Sequence, residues 1–137
     1  MSGKLKFFPL LFTFVGLLSC KTSQVSYPSA PTVGMFKVAI LYPNGDDKTF
    51  DMDYYEKKHM PMVAGLLGSN LVKYTIEKGF ASGVPNTPLP FMAIGSFYVK
   101  DLGDYQAAIG PNRDAIRSDF PNYTNVIPVI LVSEIVR

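Results

Sequence analysis

The chain predicts an α+β fold of ferredoxin-like order, βαββαβ: a four-stranded antiparallel sheet with two helical regions on one face. Three observations predict it. After residue 34 the pattern of apolar residues runs strand, helix, strand, strand, helix, strand. Right-handed crossovers in that order leave the second and fourth strands at the sheet edges. Finally, the first, third and fourth strands are apolar on both faces, as in Val38–Leu41, Met92–Ile94 and Val129–Val132. Two helices cover one face of such a sheet, so the other face also needs burial. A second copy packed sheet on sheet is the economical cover, and self-association into a homodimer is expected.

Residues 1–20 stand apart from this fold. Lys4 and Lys6 form a basic start, and Phe7–Leu18 form an apolar run too short to span a bilayer comfortably. The run ends in Leu17-Leu18-Ser19-Cys20, which resembles the lipobox of bacterial lipoproteins. That resemblance implies cleavage before Cys20, acylation of Cys20, and an exported domain anchored to a membrane on its periplasmic or cell-surface side. An ordinary secretory signal with an incidental cysteine is the alternative. Residues 21–34 are rich in Ser, Thr, Pro and Gly and read as a flexible tether. The folded domain is residues 35–137.

Cys20 is the only cysteine, so no disulfide forms within the chain and the domain has no thiol for catalysis or metal ligation. Without Lys4 and Lys6 the basic and acidic side chains are equal in number. A neutral mature chain argues against nucleic acid, which needs a basic face.

The strands are read from composition. Phe36–Tyr42 is β-branched and aromatic, and Pro43-Asn44-Gly45-Asp46 ends it in turn chemistry. Leu71–Lys78 alternates, Phe91–Val99 is the third strand, and Val126–Val136 the fourth. Pro128 falls in that last strand, where an edge tolerates a missing donor. Ala81–Pro90 is a loop with three prolines, long enough to be a flap. A second helical region spans 101–120 and breaks at Gly110-Pro111, with Asp101 and Asp104 as a capping pair.

The first helix, Asp51–Leu67, closed by Gly68, carries the chemistry. It holds the only histidine, and spacings of three and four put Met52, Tyr55, His59, Met62 and Leu66 on one face. Pro61 lacks the amide hydrogen owed to Lys57, so a kink just past His59 is expected. His59 therefore faces the core with an unperturbed pKa of about 6.5, suited to general acid or base work. A hydrogen-bonded core histidine is the plainer alternative. Asp51, Asp53 and Glu56 complement the helix dipole rather than form a catalytic pair. One histidine cannot make a multi-histidine metal site, and no metal is expected. No Gly-x-Ser-x-Gly elbow, phosphate loop or dinucleotide fingerprint occurs.

Val38-Ala39-Ile40-Leu41-Tyr42-Pro43-Asn44-Gly45, Phe50–Tyr55, His59-Met60-Pro61-Met62, Phe91–Gly95 and Pro121-Asn122-Tyr123-Thr124 together resemble the EthD family across residues 35–137. The resemblance implies a dimeric α/β barrel. It implies a cofactor-free enzyme (an oxidoreductase, isomerase or lyase) that moves a proton on a small apolar or aromatic substrate. The family is often labelled reductase and takes its name from ether degradation. Export departs from the usual member and separates the domain from soluble nicotinamide cofactor. By the same resemblance His59 is the catalytic residue to carry over and Tyr55 its neighbour. Tyr42, Asn44, Met62 and Tyr123 are the candidate substrate-binding residues, and no cofactor is expected. The alternative is a tethered dimeric module that holds a small hydrophobic ligand or haem without catalysis.

Overall fold

The computed structural model describes residue 3 and residues 30–137. The expected signal, Cys20, and the tether up to residue 29 lie outside the described residues. Four strands, β1 (Phe36–Pro43), β2 (Leu71–Lys78), β3 (Phe91–Val99) and β4 (Val129–Glu134), form one antiparallel sheet in the order β2-β3-β1-β4. The two central strands are β1 and β3, and the edges are β2 and β4, as the order of elements demands. The last strand is shorter than its composition suggests. Pro128 lies just before β4 rather than inside it, so the edge strand loses no donor of its own.

The first crossover is a continuous helix in three parts: α1 (Met52–Tyr54), a π turn (Tyr55–His59) and α2 (Met60–Leu67). Asp51 caps it by accepting a hydrogen bond from the Tyr54 amide at 3.0 Å. The disturbance expected at Pro61 is not a kink after His59. It is the wider π turn immediately before the proline, in which the Met60 amide bonds the Tyr55 carbonyl five residues back. Gly68 closes α2 at φ +50°, ψ −131°, a backbone region that side chains rarely permit.

The π turn changes which residues face the sheet. One extra residue in the turn rotates the remainder of the helix by about 100° relative to a regular α-helix. Tyr55 and His59 remain inward, but Met60, Val63 and Leu67 are buried beyond them. Met62, expected inside, is 40 % exposed, and Leu66 is only partly buried.

The second crossover packs beside the first. It comprises α3 (Leu102–Ile109), a 3-10 turn at Gly110–Asn112, α4 (Arg113–Ser118) and a further 3-10 turn at Phe120–Asn122. The Asp101 carboxylate caps α3 by accepting from the Asp104 amide at 2.8 Å.

The core lies between these helices and the faces of β1 and β3 that carry Val38, Tyr42, Ala93, Phe97 and Val99. Gly95 belongs to the same face, opposite Ile40. A Cβ there would collide with the Tyr55 hydroxyl and crowd the Met60 sulfur, so glycine sets how closely helix and sheet approach.

On the opposite face, Ala39 and Ser96 are already buried within one chain, and Lys37 and Lys73 lie over the Tyr98 ring. The exposed apolar surface is concentrated instead on β4. Val129, Ile130, Leu131 and Val132 are all exposed, and so is Ile127 just before them. Ile130 and Val132 pair with Ile40 and Val38, which puts them on the helix side of the sheet. The two crossovers do not reach across to cover them.

Candidate functional site

Between sheet and helices lies a cavity of about 370 Å³. Ile40, Tyr42 and Phe97 form its floor, and Tyr55, His59, Met60 and Val63 form one wall. The second crossover supplies the other wall, and Pro128 and Ile130 border it at the edge of the sheet. Its surface is mostly apolar, as binding sites for small molecules are.

His59 is 4 % exposed, and its ring is oriented from behind. Its Nδ1 lies 2.8 Å from Asp119 Oδ2. The other carboxylate oxygen of Asp119 accepts from the Tyr54 hydroxyl at 2.7 Å and from the Asn122 side-chain amide at 2.9 Å. Burial pushes the Asp119 carboxyl upward, but the hydrogen bonds from His59, Asn122 and Tyr54 outweigh it and hold the group below the ordinary carboxylate value. An ionised carboxylate only accepts, so Nδ1 carries the proton and donates it. For the imidazole itself, burial lowers the pKa below its ordinary value, against the opposing pull of Asp119. The ring is therefore neutral at pH 7. Nε2, which has no hydrogen-bond partner among the described residues, is the nitrogen with a free lone pair.

Aromatic rings fix the imidazole in place. Tyr55 stacks on it with centroids 5.6 Å apart, and Tyr123 and Phe120 lie at 4.6 and 5.7 Å. Tyr42 and Tyr123 share a hydroxyl hydrogen bond of 2.9 Å. Burial raises the pKa of Tyr42, Tyr55 and Tyr123 well above the usual phenol value. These phenols stay protonated, so none is a base near neutral pH. Tyr55 is fully buried, with its hydroxyl against Gly95, and acts as a platform for His59.

Of the residues singled out from the sequence, His59, Tyr55 and Tyr42 line the cavity together. Tyr123 stands one layer behind, bonded to Tyr42, and lines a shallower groove with Thr49–Met52. Asn44 is a turn residue whose side chain donates to the Leu89 carbonyl at 3.0 Å, and it does not line the cavity. Met62 does not line it either; Met60 takes that position because of the π turn. Asp119, Arg113 and Arg117 were not distinguished by sequence pattern. Asp119 is 60 residues from His59 along the chain, and no spacing rule links them. Among the described residues no three His, Cys, Asp or Glu side chains are placed to hold a metal ion, and no helix is long and apolar enough to cross a membrane.

Residues 44–125 match the EthD domain. The chain belongs to the EthD family. An EthD-like protein of Ralstonia eutropha JMP134 is 38 % identical, with 77 % of this chain and 96 % of that one covered and a TM-score of 0.71. An ethyl tert-butyl ether D (EthD) family protein of Bacillus halodurans C-125 shares 18 % identity over 74 % of this chain and 98 % of that one, at a TM-score of 0.54, and shows the shared fold. No curated protein matches the chain. Most of the His59 setting lies within the EthD match: Tyr54, Tyr55, His59, Asp119, Asn122 and Tyr123 all fall between residues 44 and 125.

Proposed function

We propose that this EthD-family protein is a cofactor-independent enzyme in which His59 moves a proton on a small apolar or aromatic substrate. One observation carries this reading: a buried imidazole on the wall of an apolar cavity, held through Nδ1 by an ionised carboxylate, with Nε2 left unpartnered among the described residues. A histidine retained only for packing would have both nitrogens satisfied. Asp119 fixes the tautomer that makes Nε2 a base and stabilises the imidazolium formed when it accepts a proton. Tyr42 presents a protonated phenol to the floor of the cavity, its hydroxyl engaged with Tyr123, and so supplies no competing base. The alternative, a module that holds a hydrophobic ligand without chemistry, uses the same cavity.

Incubation in D2O with a panel of aromatic and alicyclic ketones and enols, followed by proton NMR, separates the two. The enzyme reading expects C–H exchange that depends on His59. Binding without exchange across the panel favours the module.

Two further parts belong to this proposal. A second copy covers the apolar strand β4, whose side chains are too exposed for an isolated domain. Cys20 carries lipid and tethers the dimer to a membrane. Native mass spectrometry checks the first. Incorporation of labelled fatty acid that is lost in Cys20→Ala checks the second.

A further inference from the structure

The cavity is apolar on its floor but charged at its mouth. Arg113 and Arg117 both line it, one turn apart on α4, and this spacing puts them on the same side of the helix. No aspartate or glutamate among the described residues lines the cavity. Among the described residues neither guanidinium forms an ion pair, whereas the Lys57 ammonium does, with Asp53. Gln106, on α3, adds an uncharged amide to the same wall. Both arginines are exposed, so their stems flank the entrance while their heads remain hydrated. The charge of Arg113 is felt by the half-buried Tyr105 phenol, where it opposes the upward push of burial.

Two cations at the entrance of an otherwise apolar hollow, in a domain of balanced charge, create a local positive potential that draws anions. A guanidinium also presents a planar fork of donors that matches a carboxylate better than it matches a neutral carbonyl. We propose that the molecule this site takes is an amphipathic anion: an apolar ring or chain that fills the cavity, with a carboxylate held at the mouth by Arg113 and Arg117. This rests on the reading of the His59 cavity as the functional site and names the chemical class of its ligand. The carboxylate fixes orientation, so that the apolar end is the part presented to the inner wall.

Calorimetric titration of the whole protein with benzoate and 1-naphthoate, each beside its carboxamide, tests the assignment. At least one carboxylate is expected to bind about tenfold more tightly than its uncharged partner, with the difference growing as salt is lowered. The Arg113→Gln/Arg117→Gln double variant is expected to lose that preference while carboxamide binding stays unchanged. Each single variant should lose part of it, and as both side chains are exposed none should impair folding. Equal affinity within every pair, absence of binding by all four probes, or a preference that survives in the double variant overturns the proposal. His59 is the only histidine, so its ring protons give an independent signal in the same titration. A carboxylate preference that moves the His59 resonances supports both readings. A preference that leaves them unmoved keeps the arginine assignment and counts against His59 as the reacting group.

Discussion

The two walls of the cavity are built on opposite terms. On the floor and inner wall, Tyr42, Tyr55, His59 and Met60 are almost entirely buried, and the imidazole's Nδ1 and the Tyr42 hydroxyl are engaged. On the outer side, Ile130 is 61 % exposed and the two arginines have no ionic partners among the described residues. The inner wall holds the imidazole in one orientation. The outer side is available for whatever comes to it, whether a ligand or a second copy. Close packing and hydrogen bonding therefore predict large costs for changes on the first side and small ones on the second.

His59→Gln should break the contrast most sharply: proton exchange should fall by about 100- to 10,000-fold, read by NMR in D2O, while the melting curve stays cooperative. Should the variant unfold instead, the histidine is structural. Met60→Ala, which empties a buried position beside Gly95, is expected to cost about 2–5 kcal/mol in denaturant unfolding. Asp119→Asn removes a charged hydrogen bond worth about 1.5–3 kcal/mol, which slows exchange by roughly 10- to 100-fold. It also lowers the His59 pKa further, because Asp119 is what holds it up. Tyr42→Phe loses one buried hydrogen bond, a cost of about 1 kcal/mol in stability. Leu131→Glu, on the exposed strand, should leave unfolding within about 0.5 kcal/mol but halve the native mass.

Acid should act through the same histidine. Because its folded pKa lies below the ordinary 6.5, the unfolded chain takes up the proton first. The stability tied to His59 is complete above about pH 6.5 and is lost as pH falls through the folded value. Exchange that needs the neutral ring should rise through that same lowered pKa and level off before pH 7. A histidine NMR titration with a midpoint above 6.5 would contradict both.

Much of the fold was legible because it rests on local rules. Alternation and β-branching marked the four strands, Asp51 and Asp101 marked the helix starts, and Gly68 marked a helix end. The order of elements then left one sheet topology. Half of the site was legible too, since Tyr55 and His59 share a helix face at a spacing of four. The rest was not, for two reasons. Asp119 meets His59 only through tertiary packing. And a regular 3.6-residue period assigns Met62 and Leu66 to the interior, whereas the π turn gives their places to Met60, Val63 and Leu67.

That turn makes the helix sensitive to its count of residues in a way its composition does not suggest. Deleting one of Glu56, Lys57 or Lys58, all exposed, would let an ordinary α-helix run from Met52 to Leu67 with no apolar atom lost from the core. Met60, Val63 and Leu67 would then stand four, seven and eleven residues after Tyr55 and keep their face, whereas His59, only three after it, would be swung out of its present place beside Tyr55. A change that is silent on the surface would thus undo the alignment between imidazole and sheet, so that length, rather than identity, is the constrained property of this charged segment.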